Sequence, residues 1–299
     1  MKILLTGANG LLGHHILKTA HNISPNVEII ATARQQPYSE YKPFEYLDIN
    51  DEVKLNYFLD IYNPDVLVNT AAISKVDYCQ QNKAECYRTN YEAVKNMADA
   101  CYKKGIHLVH LSSDFVFDGK KGRYYEEDQP SPVNYYGECK EMAEAYLLNS
   151  PVTAAIVRTV LVYGHPPSPQ KDNILTWVLD SAKHNKDIKV VNDQFRCPTL
   201  VYDLAGGVMK IALQKKDGIW HIAGNELSSV FDFACRIATS AGYNTNFISP
   251  ISSSELSAPA LRPLKTCLNL DKSITELGYH PKNIDTGLDI LLKEMKLFM

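Results

Sequence analysis

The chain contains no Cys-x-x-Cys pair, although it carries seven cysteines: Cys79, Cys86, Cys101, Cys139, Cys197, Cys235 and Cys267. They are scattered and odd in number. That argues against a disulfide framework or a zinc site and predicts seven separate small residues in a reducing cytoplasm. No run approaches the ~18 apolar residues that a membrane span needs. Neither sign of charge accumulates: the net charge is −3 and 22% of residues are charged, so nothing marks a nucleic-acid or membrane-surface binder. The opening Met1-Lys2-Ile3-Leu4-Leu5-Thr6-Gly7 lacks the apolar stretch and cleavage site of a signal peptide, and a cytoplasmic location is expected. His14-His15 reads as a pair of surface helix residues, and no metal site is expected.

What is present is a globular composition, 45% hydrophobic over 299 residues, long enough for one large domain or two small ones. Lys2–Leu5, Val27–Thr32, Val66–Asn69, His107–Leu111 and Ala154–Arg158 read as short strands. Several are continuously apolar, as in a parallel sheet buried on both faces. Gly13–His21 and Ala84–Lys104 read as helices between them. The alternation predicts an α/β fold: a Rossmann-type doubly wound parallel sheet with a smaller α/β substrate-binding lobe. Residues 1–163 are the expected dinucleotide-binding part. Residues 164–299 are mainly the second lobe, with crossings back to the sheet. There, His165–Pro169 and Ser252–Pro259 read as loops, Ile174–His184, Phe231–Ala241 and Thr286–Leu297 as helices, and Ile188–Val191 and Gly218–Ile222 as strands.

Thr6-Gly7-Ala8-Asn9-Gly10-Leu11-Leu12-Gly13 leaves the first strand and opens a helix. Gly7 permits the tight turn, Gly10 lets backbone approach a pyrophosphate, and Gly13 allows close helix–strand packing. The helix N-terminus then supplies amide donors for phosphate. Gly7, Asn9, Gly10, Leu11, Leu12 and Gly13 are therefore expected cofactor contacts. About 20 residues on, NAD sites usually carry an acid for the ribose 2′-hydroxyl. Here the second strand ends in Arg34, whose planar fork suits a 2′-phosphate. NADP(H) is expected, with NAD(H) possible. Asp48 and Ile49, after the third strand-like segment, are candidates for the adenine side.

Tyr136 and Lys140 are four residues apart, hence one turn apart on one helix face. A tyrosine with a pKa near ~10 is a poor acid–base at neutral pH. A neighbouring ammonium is expected to lower that value, so that Tyr136 exchanges a proton with a carbonyl oxygen as hydride reaches carbon. Ser112 and Ser113 end an apolar strand, where ligands of doubly wound sheets bind, and could orient that carbonyl or merely cap a turn.

Together, the Thr-Gly-x-x-Gly-x-x-Gly turn, Ser113 and Tyr136/Lys140 resemble the extended short-chain dehydrogenase/reductase superfamily. Pro64–Ala72 leading into Val76–Cys79, Ser112–Gly119, Arg158–Gly164, Pro198-Thr199 with Asp203–Ala205, and Arg262-Pro263 resemble its dTDP-4-dehydrorhamnose reductase family. The resemblance implies an NADPH-dependent reduction of the 4-keto group of a nucleotide-linked 6-deoxy-hexulose. It implies Ser113, Tyr136 and Lys140 as catalytic residues, Tyr136 and Lys140 also touching the cofactor. Asn90, Ala71, Ala72, Thr159 and Val160 would border the cofactor, and Val76, Asp77, Asp114 and Phe115 would face the sugar. The surface around Phe195–Thr199 and Arg262 is expected to take the nucleotide, with Arg196 and Arg262 as pyrophosphate clamps. Leu161 stands where the family often has an aromatic residue. His14-His15 stand where some members carry a glutamate for a metal-linked dimer, so no magnesium dimer is expected, although a homodimer is possible. Two other functions stay open: a non-catalytic NADP-binding subunit, as in methionine adenosyltransferase, and a nucleotide-sugar epimerase or dehydratase.

Overall fold

The computed structural model describes residues 1–36, 41–168 and 173–297. Seven strands form one parallel sheet in the order Phe44–Tyr46, Glu28–Ala33, Lys2–Thr6, Val66–Asn69, His107–Leu111, Ala154–Arg158 and Gly218–His221. The order reverses beside the first strand, which makes that point the crevice where doubly wound sheets hold ligands.

Strand alternation builds the layers. Ile3 and Leu5 point to one face and Leu4 to the other. The first face is covered by the helices Leu11–Ile23 and Val201–Gln214, through Ile16, Ala20, Leu204, Val208 and Ile211. The second is covered by Glu52–Tyr62, Ala93–Lys104 and Tyr135–Asn149, through Leu55, Phe58, Met97 and Leu147. The sheet is thus apolar on both sides, as its strands require. The second half of the chain supplies both the seventh strand and the Val201–Gln214 helix.

The smaller lobe has its own core of Leu175, Val178, Phe233, Ile237, Leu288 and Leu291. Its four-stranded sheet runs Ser228–Ser229, Phe195–Arg196, Lys265–Leu268 and Gly122–Tyr124. The last of these strands comes from the first half of the chain, between Ser113 and Tyr136. The helices Ile174–Lys183, Val230–Ser240 and Ile284–Leu297 lie where the sequence places them, as do the Ser252–Pro259 loop and the described part of His165–Pro169; Pro169 lies outside the described residues.

Two expectations are corrected and one, the helical character of Ala84–Lys104, is refined. Cys197 and Cys267 form a disulfide, with Cα atoms 5.3 Å apart across neighbouring parallel strands. That distance lies within the range a disulfide spans, and a separation of 70 residues hides it from the sequence. Ala84–Lys104 is not a uniform helix: Arg88–Glu92 is a π-helical turn between Lys83–Tyr87 and Ala93–Lys104. It sits where Asn90 turns inward, and such bulges gather at functional sites. His15 is not on the surface. It is fully buried, its Nδ1 is 2.9 Å from the Leu11 carbonyl, and its ring packs edge-on against Tyr202.

Burial lowers the pKa of His15 to about 3, of His221 to about 3 and of His14 to about 4. Each then binds its proton more readily in the unfolded chain. Stability present above pH ~6.5 is therefore lost as pH falls below that value, by up to ~1.4 kcal/mol per unit per histidine until the folded pKa is reached. Urea unfolding midpoints should drop between pH 6.5 and 4. A flat profile over that window would show that these rings are charged in the fold.

Candidate active site

The turn after the first strand forms because Gly7 takes φ +74°, a region costly for side-chain residues. A Cβ there would also lie 2.7 Å from the Ala71 nitrogen. The chain then enters the 13-residue helix Leu11–Ile23 through Gly10, which has no side chain to cap it. The amides of Leu11, Leu12 and Gly13 are those a helix leaves without an intrahelical partner. These residues line a cavity of about 230 Å³ together with Gly10, Thr70, Ala72, Ser74, Pro166 and Asn173. Amides and a helix dipole at the rim of an open cavity are a phosphate cradle.

A larger cavity, about 420 Å³, adjoins it through Gly10, Thr70 and Ala72. Gly7, Asn9, Ala33, Arg34, Gln35, Tyr46, Leu47, Ile49, Ala71 and Thr89 complete its wall. The size suits part of a dinucleotide. Among the described residues of this wall, Arg34 is the cation and there is no carboxylate. Asp48 is not in the wall; its Oδ1 accepts from both nitrogens of Asn50 at 2.9 Å. Asn90 is buried and holds the segment beneath the cavity: Oδ1 accepts from the Ile73 amide and Nδ2 donates to the Ile73 carbonyl, each at 2.9 Å. Tyr46, Leu47, Thr70 and Thr89 line the cavity without having been singled out in the sequence. Thr70 directly follows a strand end, which is the one signal that marks it.

Beyond the cradle, at the carboxyl edge of the sheet, Ser113 comes within hydrogen-bond reach of Tyr136, and Lys140 reaches the carbonyl of Leu111, two residues before Ser113. Ser113 caps the short turn Asp114–Val116 by accepting from the Phe115 amide at 3.2 Å, and its hydroxyl lies 3.1 Å from Asp114 Oδ1. The catalytic-helix candidate, Tyr135–Asn149, starts at Asn134, whose side chain accepts from the Gly137 amide and donates to the Leu261 carbonyl. Gly137 lets this helix lie against the Phe115 carbonyl, where a side chain would collide. Lys140 Nζ donates to the Leu111 carbonyl at 2.7 Å. Phe115 meets the Tyr136 ring edge-on at 5.7 Å.

The electrostatics differ from the sequence expectation. Burial raises the Tyr136 pKa above its ordinary value; a hydrogen bond with Ser113 opposes this, and Asp114 adds to it. Burial lowers the Lys140 ammonium to about 8, against the pull of Glu144. Tyr136 is therefore a protonated phenol at neutral pH, which is the form a proton donor needs.

The expected sugar-facing residues are drawn into contacts between the lobes. Asp77 takes both terminal nitrogens of Arg262, at 2.6 and 3.0 Å, which holds its carboxyl below the usual range. Arg196 is not a surface residue: it is 3% exposed and lies 3.6 Å from the buried Asp114. Val76 opens the helix Val76–Gln81 half-buried. Thr159 and Val160 follow the sixth strand of the sheet, and Thr159 accepts at its carbonyl from the Asp114 amide.

Residues 1–297 match the model of the RmlD substrate binding domain family. The chain belongs to that family. It is similar to proteins with different names and roles. A dTDP-4-dehydrorhamnose reductase from Clostridium acetobutylicum is 32% identical, with a TM-score of 0.87, over 99% of this chain and 100% of that one. One from Bacillus anthracis, solved in complex with NADP, is 26% identical, with a TM-score of 0.82, over 98% of this chain and 99% of that one. Methionine adenosyltransferase 2 subunit beta of Rattus norvegicus is 29% identical over 277 residues, 91% of this chain and 81% of that protein.

Proposed function

We propose that this RmlD-family chain is a cytoplasmic, NADPH-dependent reductase of the 4-keto group of a nucleotide-linked 6-deoxy-hexulose. The observation that carries the reading is the approach of Ser113 to Tyr136, with Lys140 one helical turn on, at the same carboxyl edge of the sheet that carries the open phosphate cradle. Residues 1–163 hold the cofactor, and residues 164–299 mainly hold the nucleotide sugar.

The fit to a dinucleotide is local and physical. Gly7, Asn9, Gly10, Leu11, Leu12 and Gly13 surround the pyrophosphate position, and Ala71, Ala72 and Ile49 border the adenosine side. The bound nicotinamide supplies hydride to a carbonyl carbon. Tyr136 donates its phenolic proton to the carbonyl oxygen. As the ketone arrives, the Ser113 hydroxyl turns its one proton from Asp114 Oδ1 to the same oxygen and fixes its direction. Lys140 holds the nicotinamide ribose. Arg262 is the cation available to a pyrophosphate, released from Asp77 as the sugar nucleotide enters.

Arg34 favours NADPH, because it is the cation at the mouth of a wall without a described carboxylate. Arg34→Asp should lower the preference for NADPH over NADH by about 10- to 100-fold, the worth of a charge-assisted phosphate contact. Steady-state KM values for both cofactors check it, and unchanged selectivity would remove Arg34 from the reading.

A non-catalytic NADP-binding subunit is the second reading, favoured by the methionine adenosyltransferase relative. The deciding assay follows NADPH absorbance with enzymatically prepared dTDP-4-keto-6-deoxy-L-sugar. Tyr136-dependent oxidation supports the reductase. Tight NADPH binding without oxidation overturns it in favour of the subunit.

A further inference from the structure

Asp114 is a buried acid that the proton transfer does not use. It is 1% exposed. Its Oδ1 accepts from the Ser113 hydroxyl at 3.1 Å. Its Oδ2 accepts from the Thr266 hydroxyl and lies 3.6 Å from Arg196 Nε. Thr266 and Arg196 are themselves buried and belong to the other lobe. They face each other in register on neighbouring parallel strands, and the next residue on each strand completes the Cys197–Cys267 disulfide.

Three of the four terminal N–H donors of Arg196 are engaged. Nη1 donates to the carbonyls of Phe195 and Leu264, at 2.8 and 3.3 Å, and Nη2 to that of Pro263 at 2.6 Å. Arg196 is thus held by its own lobe and has no fork left for a phosphate. Its guanidinium stands 5.9 Å from the Phe115 ring, which packs on Tyr136. The lobe therefore reaches the site by two routes, through Asp114 to Ser113 and through Phe115 to Tyr136.

Burying such a carboxylate does little for stability, since its desolvation offsets its attraction to Arg196. Its consequence is geometric. Ser113 Oγ is fixed between the Phe115 amide and Asp114, and Asp114 is fixed by the second lobe. A serine that must meet a ketone oxygen depends on such placement, because a displacement of ~1 Å costs about 100-fold in rate.

We propose that Thr266, Arg196 and Asp114 are positioning residues that lock the Ser113 hydroxyl against Tyr136, so that the seating of the second lobe sets the rate of the chemical step. The proposal rests on the reductase reading. Asp114 is on this account not a sugar contact, and Arg196 is not a pyrophosphate clamp.

Thr266→Val keeps the shape and deletes the hydroxyl, and Thr266→Ser keeps the hydroxyl. The valine variant should lower kcat by about 10- to 100-fold, with KM for the keto sugar and NADPH affinity within about twofold of wild type. The serine variant should restore kcat. Amide exchange of the 113–117 segment, read by mass spectrometry, should accelerate in the valine variant and not in the serine variant. Arg196→Lys, which keeps the charge and loses the fork, is the second variant should valine prevent folding; it should lower kcat in the same way. Wild-type kcat in Thr266→Val, an equal loss in Thr266→Ser, or a rise in KM alone would each overturn the proposal. Absence of Tyr136-dependent turnover in the wild type would instead fail the reductase reading, and unaltered exchange in Thr266→Val would then overturn the lock by itself.

Discussion

Turnover of Tyr136→Phe should fall by about 10²- to 10⁴-fold, the usual worth of a positioned general acid. NADPH affinity should change less than about twofold, because the substitution removes one hydroxyl and nothing else. The ring stays packed against Phe115, and the helix that carries it is set by Asn134 and Gly137 rather than by the phenol. The loss should appear in kcat and kcat/KM together, as for an interaction made in the transition state. Burial keeps the phenol protonated at neutral pH, so the rate in the reductive direction should not require a prior ionisation of Tyr136. Persistent turnover would mean that another group donates the proton.

The strands were legible because a parallel sheet covered on both faces demands short apolar runs, and Ile3, Leu4 and Leu5 satisfy both faces at once. The cradle was legible because glycine spacing reports backbone geometry directly, as the positive φ of Gly7 bears out. Tyr136 and Lys140 were legible as neighbours because helix periodicity fixes their separation. What stayed hidden depends on contacts between distant segments. The partnership of Cys197 with Cys267 arises only once two strands pair. The inward turn of Asn90 arises only once Ile73 stands beside it. Arg196 reads as a surface cation in the sequence because nothing local says that Asp114, 82 positions earlier by number, will be buried against it. The upward shift of Tyr136 was missed for a related reason: the lysine is visible in the sequence, and desolvation is not.

Arg158→Met should be the most damaging substitution outside the cofactor cradle. Arg158 ends the sixth strand of the sheet, one in from its edge, and is 1% exposed, as is Glu144. Its Nε lies 3.1 and 3.2 Å from the two Glu144 oxygens and its Nη2 2.7 Å from one of them, while Nη1 reaches the Glu126 carbonyl and the guanidinium stacks on Phe117. Methionine fills much of the volume and leaves the Glu144 carboxylate buried without its guanidinium partner, which costs about 3–5 kcal/mol. In a chain of 299 residues that lowers Tm by roughly 5–8 °C, measurable by scanning calorimetry. Glu144 also stands one turn beyond Lys140 on the same helix and favours its charged form. Freed from Arg158, it should hold the Lys140 proton more tightly, so any alkaline loss of activity should move upward in pH. The double variant Arg158→Met with Glu144→Leu removes the stranded charge and should recover most of the stability, since a buried pair replaced by apolar groups is often neutral. If the double variant is no more stable than Arg158→Met, the loss comes from the missing stack on Phe117 and the unpaired Glu126 carbonyl, and the ion pair is not what anchors the catalytic helix to the sheet.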